Sequence, residues 1–135
     1  MSVMDILKKG ADFTNGDEAA KGMMTDFNDH KVGLQLDADS VTQVVKDGAL
    51  SLEENIRDDC HVVLKMKTVD LLGAIDNTFD LMEIKDKGEL VKGDMTDPNV
   101  PVHLMATFPF FDAMVRLYES DPEFKKQVDE VKSSL

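Results

Sequence analysis

The spacing of hydrophobic residues changes twice along the chain, from a helical period to an alternating one and back. From residue 3 hydrophobic residues recur at helical spacing, and Asn15-Gly16 interrupts the pattern. Asp17 can then cap a second helical segment that reaches Phe27. Residues 1–29 are therefore predicted to form interrupted helix.

Alternation with a period of two begins at Lys31 and predicts strands. The predicted strands cover residues 32–36, 41–45, 50–52 and 62–66. Asp47-Gly48 suits the positive φ angles of a tight hairpin turn between the second and third. We expect an antiparallel run of four strands, which needs a covering layer.

The next segment is predicted to supply part of that layer. Residues 68–75 should form a helix that Thr68 caps and whose apolar side lies on the sheet. Residues 79–82 are interpreted as a further helical turn, and residues 89–94 as a short fifth strand. The alternative is a hairpin in which residues 81–85 pair with that strand.

The most apolar stretch of the chain is Pro98–Tyr118. Two prolines near its beginning suit a helix start, whereas Pro109 should kink or split the helix. A strand over 102–106 followed by a helix from Pro109 fits equally well. Within 119–135, Asp121-Pro122 opens a charged amphipathic helix.

Composition indicates one folded α+β domain over residues 1–135. The chain has 42% hydrophobic and 31% charged residues, which excludes a wholly disordered protein. Its net charge of −12 comes from scattered acidic residues and argues against binding to nucleic acid or anionic membranes. The lone Cys60 and the lack of an apolar run near ~20 residues favour the cytoplasm and no membrane span.

The sequence offers no arrangement for catalysis. His30, His61 and His103 are far apart along the chain, and none has a metal-ligand spacing. Cys60 and His61 are neighbours in a predicted strand, so their side chains should point to opposite faces. The glycines lack the lysine and hydroxyl of a phosphate-binding loop. We therefore expect no enzyme, no cofactor and no metal.

Three segments together resemble the sterol carrier protein type 2 (SCP2) family. Residues 46–52 contain a strand pair around an Asp-Gly turn, and residues 60–72 contain an apolar strand that runs into a helix. Residues 89–95 are similar to the family's later strand, which ends in Gly-Asp-Met. The likeness covers residues 31–117.

The resemblance implies a five-stranded, mainly antiparallel sheet with helices on one face and an apolar tunnel between the layers. It also implies binding of a lipid, a fatty acid or an acyl-CoA-like ligand without catalysis. Cys60 stands where the family usually has Ala, and Ser133-Ser134-Leu135 lacks the basic residue of a peroxisomal tail. Neither sterol specificity nor a peroxisomal location is therefore expected.

The predicted ligand-binding residues are the apolar residues of the last long strand, the covering helices and the closing apolar run. They are Val62, Leu64, Met66, Leu71, Leu72, Ile75, Phe79, Phe108, Phe111, Met114 and Leu117. Residues 100–117 carry more apolar surface than one helix needs to pack on a sheet. Either a bound acyl chain or a second subunit, as in a homodimer, could cover that surface, so a homo-oligomerising or partner-binding module is the alternative function.

Overall fold

The structure is a computed structural model that describes residues 2–27, 29–80 and 83–135. The described strands are β1 (His30–Gln35), β2 (Ser40–Lys46), β3 (Ala49–Glu54), β4 (Val62–Lys65) and β5 (Glu89–Lys92). The described helices are α1 (Val3–Gly16), α2 (Glu18–Met24), α3 (Thr68–Ile75), α4 (Ile84–Lys87), α5 (Asn99–Met105), α6 (Phe108–Ser120) and α7 (Pro122–Ser133). The fold is α+β, as the sequence predicts.

The five strands form one mixed sheet in the order β3-β2-β1-β4-β5. β1 pairs antiparallel with β2, β2 with β3, and β4 with β5, so the sheet is mainly antiparallel. β1 and β4, however, are parallel, with Val32 opposite Val62 and Leu34 opposite Leu64. The expected antiparallel run of four strands is therefore wrong. After β3 the chain crosses to the free side of β1, and hydrophobic alternation is the same in either strand direction.

The hairpin between β2 and β3 turns at Asp47 and Gly48, as predicted. Both residues have positive φ angles, 55° and 74°. Two successive residues in this region match the right-handed twist of the flanking strands. The register places Lys46 opposite Ala49 directly across the turn.

The helices cover one face of the sheet, and α6 lies in the middle of the helical layer, in contact with α1, α2, α3 and α7. α1 approaches α6 closely at Gly10, where an added Cβ would lie 2.5 Å from Met114 Cγ and 3.1 Å from Phe110 Cε1. Because helices surround α6, much of the apolar run 100–117 is buried within this chain. Phe110, Phe111, Ala113 and Met114 are all buried.

The segment between β3 and β4 covers part of the opposite face. Thr42 Oγ1 donates to the carbonyl of Asn55 at 2.8 Å and accepts from the backbone N–H of Arg57 at 2.9 Å. Cys60 is buried with its Sγ 3.6 Å from the same hydroxyl. The chain thus crosses the sheet close to its surface on the way to β4.

The start of α3 differs from the predicted Thr68 cap. Lys67 occupies the cap position without a side-chain hydrogen bond, and Thr68 is the first helical residue. The backbone N–H of Thr68 donates to Asp37 Oδ2 at 3.2 Å. A carboxylate distant in sequence therefore satisfies the helix start, which the local sequence could not reveal.

The predicted helical turn over 79–82 is wrong at residues 79 and 80, which the structure describes. Phe79 lies in a bend after α3, Leu81 and Met82 lie outside the described residues, and α4 occupies 84–87. The alternative hairpin of 81–85 is also wrong at its end, because β5 pairs with β4 and residues 84 and 85 are helical. The fifth strand itself is confirmed.

Two helices occupy the apolar run, separated close to Pro109. Pro98 is the cap residue of α5, and Pro109 lies in the first turn of α6. A proline there lacks the N–H that would be unpaired in any case. Residues 102–105 are therefore helix and not strand, and the predicted split of the helix near Pro109 is confirmed.

Candidate functional site

Most of the predicted ligand-binding residues lie together in the main core. Leu64, Met66, Leu71, Leu72, Ile75, Phe111 and Met114 belong to one buried cluster, and Leu117 packs against it. They are packed as core between the sheet and the helices. A role in ligand binding stays a prediction for all of them.

The remaining three lie outside that cluster. Val62 is fully buried near Val100 of α5, since both lie 3.6 Å from a Cβ built on Gly93. Phe79 is half-buried, with the ammonium of Lys87 5.2 Å from its ring centre. Phe108 is half-buried at the start of α6. Of these three, Val62 lies near α5, Phe79 lies against Gly73 of α3, and Phe108 begins α6, so the predicted residues do not form one site.

An open depression lies at the carboxyl ends of β1 and β4 and has a volume of about 440 Å³. Of the predicted residues, only Met66 lines it. The other lining residues are Gln35, Leu36, Asp37, Lys65, Lys67, Asp70, Lys87, Gly88 and Glu89. A shallower depression along α7 contains none of the predicted residues.

The chain's three histidines come together at the amino ends of β1 and β4, away from the depression at their carboxyl ends. His30 Nδ1 and His103 Nδ1 are 2.6 Å apart, so one ring donates a hydrogen bond to the other. The rings of His61 and His103 are stacked, with centres 4.2 Å apart and planes 3° apart. The cluster joins α5, which carries His103, to the beginnings of both parallel strands.

Burial and mutual repulsion favour the neutral forms of two of these rings. Desolvation lowers the pKa of His30, and the nearby His61 lowers it further. Desolvation also lowers the pKa of His103, to which His61 and His30 add. A proton on either ring is therefore less favourable in the folded chain than in water.

Parallel pairing explains why the sequence analysis missed this cluster. Val32 lies opposite Val62, so His30, the first residue of β1, and His61, which directly precedes β4, lie at the same end of two neighbouring strands. An antiparallel arrangement would have placed them at opposite ends. The distances between the three histidines along the sequence give no indication of the cluster.

The prediction that the side chains of Cys60 and His61 point in different directions is confirmed. Cys60 contacts Thr42, whereas His61 stacks on His103.

A buried amide lies under the junction of α5 and α6. Gln43 of β2 is 1% exposed, and its Nε2 donates to the carbonyl of Ala106 at 3.0 Å. Its Oε1 is buried without a hydrogen-bond partner among the described residues. Buried polar atoms are usually paired, so this acceptor needs an explanation. The sequence analysis did not single out Gln43, which occupies a core position of β2 between Val41 and Val45.

The helix above this amide has one buried side chain, and its Leu104 is half-buried. Val100 is the buried residue of α5, whereas Val102 and Met105 are 45% and 60% exposed. Val91 of β5 and Met95 of the following segment are also exposed. We call the region formed by α5, His30, Gln43 and Val62 the α5 site.

The described residues contain no group of three or more His, Cys, Asp or Glu side chains arranged to hold a metal ion. The stacked rings of His61 and His103 agree with this, because parallel rings do not direct their nitrogens at one ion. No helix within 2–27, 29–80 and 83–135 is long and apolar enough to cross a bilayer.

Comparison with solved structures identifies the fold. A protein described as "UbiJ-SCP2 Ubiquinone synthesis protein" superposes with a TM-score of 0.56 at 15% identity, over 88% of this chain and 92% of that chain. A conserved hypothetical protein from Thermus thermophilus, described as possibly a sterol carrier protein, gives a TM-score of 0.62 at 13% identity, over 84% of this chain and 86% of that chain. No protein-family model matches the chain, and no curated protein matches it.

Proposed function

Because the chain has an SCP2-like fold, we propose that it binds and carries a lipid or acyl chain in the cytoplasm without catalysing a reaction. The ligand enters at the α5 site, when α5 moves away from β1 and β4. The observation that carries this proposal is the attachment of α5: it has one buried apolar side chain, Val100, and it lies above a buried amide oxygen that has no hydrogen-bond partner among the described residues.

The energy balance favours opening at α5 over opening elsewhere in the helical layer. Detaching α5 exposes Val100 and the half-buried Leu104 and breaks contacts of His103 and Ala106, whereas α6 contacts four other helices. An acyl chain that enters gains about 0.8 kcal/mol for each buried methylene, so a few methylenes offset the loss of Val100. Apolar burial of this kind gives broad selectivity for chain length.

Outward-facing side chains on α5 fit the same proposal. Val102 and Met105 are exposed on α5, and they can contact a membrane or a lipid donor when the helix opens. Methionine adapts its shape to irregular apolar surfaces.

Binding can be tested with delipidated protein and a pyrene-labelled dodecyl chain delivered from phosphatidylcholine vesicles. We expect saturable binding of one probe per chain and a matching mass increase in native mass spectrometry. Absence of both would refute the proposed function.

A pair of variants tests access at α5. Val100→Ala removes two buried methyl groups, a loss of about 1.6 kcal/mol, which should raise the open population and the probe's association rate roughly tenfold. Val69→Ala is the control, because it removes the same atoms from an exposed position of α3, outside the α5 site, and should leave the rate unchanged. Equal association rates for Val100→Ala and the unaltered chain would contradict access at α5.

The alternative is that the exposed side chains of β5 and α5 form an interface with a second copy or another protein. Val91, Met95, Val102 and Met105 favour it, since they are large apolar side chains in one stretch of the chain. Sedimentation over a hundredfold range of concentration distinguishes the two. A dimer that dissociates in Met105→Asp and does not bind the probe would support the interface. A monomer that binds the probe would exclude the interface with a second copy.

A further inference from the structure

We propose that Gln43 Oε1 accepts a hydrogen bond from the polar end of the bound ligand, so that the α5 site prefers a neutral lipid carrying a hydroxyl or amide N–H donor. This inference rests on the proposed function and adds the chemical class of the ligand to it.

The orientation of the Gln43 amide is fixed by its neighbour. Ala106 presents a carbonyl oxygen 3.0 Å from the amide, and only the NH2 end of a glutamine can donate to it. A flipped amide would bring two acceptors together. The oxygen left over is therefore an acceptor that needs a donor.

The place of Gln43 in the sheet keeps this oxygen away from the protein's own donors. Its neighbours across the sheet are Val32 on β1 and Leu52 on β3, and their side chains have no donor. Val41 and Val45 flank it on the same face, and both belong to the buried core. A donor must therefore come from outside the described side chains that surround it.

Charge argues that the donor is neutral. The buried polar side chains of the described residues are three threonines near other parts of the core, Thr107 and Gln43, and none is a lysine or arginine. None of them is an aspartate or glutamate either, so a buried ammonium would lack a counterion just as a buried carboxylate or phosphate would, which is strongly unfavourable for either charge. His30 and His103 are held towards their neutral forms, because burial lowers the pKa of each ring, and the chain has a net charge of −12.

Ligands that only accept hydrogen bonds fit less well. An ester or ether oxygen placed against Oε1 would leave two acceptors facing each other and both unpaired. A long-chain alcohol donates its hydroxyl hydrogen to Oε1. Its oxygen remains free to accept from a neutral histidine, whereas the Thr107 hydroxyl already donates to the carbonyl of Leu104 at 2.6 Å.

Competition against the pyrene probe tests the preference with three ligands of equal chain length: 1-hexadecanol, methyl hexadecyl ether and palmitate. We expect hexadecanol to displace the probe at about tenfold lower concentration than the ether, the effect of one hydrogen bond to a buried acceptor. Palmitate at pH 8 should compete less well than hexadecanol. A hexadecanol-to-ether ratio near one in the unaltered chain overturns the inference without any variant.

Gln43→Met assigns the preference to this side chain, since methionine has a similar length and no strong acceptor. The variant should still bind the probe, and its hexadecanol-to-ether ratio should fall to about one. An unchanged ratio in Gln43→Met would mean that Oε1 is satisfied by a water molecule and does not contact the ligand. If the unaltered chain does not bind the probe, the proposed function fails and this inference with it; probe binding with a ratio near one refutes the inference alone.

Discussion

Replacing Phe111 by alanine tests whether the predicted ligand-binding residues are packed core in the ligand-free chain. Phe111 is 2% exposed, belongs to the main buried cluster, and stacks against Phe110 with ring centres 5.6 Å apart. Truncating a fully buried phenylalanine costs about 3–5 kcal/mol when the surroundings cannot collapse into the space. We expect Phe111→Ala to lose stability in that range.

Phe108→Ala is the matched control, because it removes the same atoms from the same helix at a half-buried position. Its smaller buried area should limit the loss to about 1–2 kcal/mol. Urea unfolding of delipidated protein, followed by circular dichroism, measures both losses, and the slope of free energy against urea should not change. A loss below about 1 kcal/mol for Phe111→Ala would refute the reasoning, since it would mean that the ring borders open space without a ligand.

Two further predictions concern the helical layer and the histidine cluster. Gly10→Ala and Gly22→Ala both gain about 1 kcal/mol of helix propensity, but only the Cβ at position 10 meets α6. Gly10→Ala should therefore be less stable than Gly22→Ala by about 1–3 kcal/mol in urea unfolding. Equal stabilities of the two variants would contradict the close contact between α1 and α6. The pKa of His30 and of His103 is lowered on folding, so the unfolded chain binds more protons and stability should fall as pH drops below the ordinary 6.5. The unfolding midpoints at pH 7.5 and 5.5 should therefore differ less in the double variant His30→Gln, His103→Gln than in the unaltered chain. The same difference in both proteins would refute the assignment of this pH dependence to His30 and His103.

Local sequence patterns predicted most of the elements. The break at Asn15-Gly16 and the cap at Asp17 separate α1 from α2, and Asp17 accepts from the N–H of Ala20 at 2.9 Å as a cap should. Asp47-Gly48 set the β2–β3 hairpin. These signals depend on residues a few positions apart, so they can be interpreted without knowledge of the fold.

Features that depend on distant residues were not predictable in this way. The parallel pairing of β1 with β4 has no local signature, and the histidine cluster depends on that pairing. Thr68 could not be excluded as a cap without knowing that Asp37 reaches the start of α3. Gln43 looked like an ordinary polar residue of a strand, and its importance comes from the burial that α5 and α6 impose.

Photo-crosslinking with a diazirine-bearing hexadecanol tests the central claim most directly, because it shows both that a lipid binds and where it lies. The account predicts saturable labelling, reduced by excess hexadecanol, in peptides that contain β1, the first residues of β4, and α5. Saturable labelling confined to the depression along α7, or no saturable labelling at all, would contradict the claim that the chain carries a lipid at the α5 site.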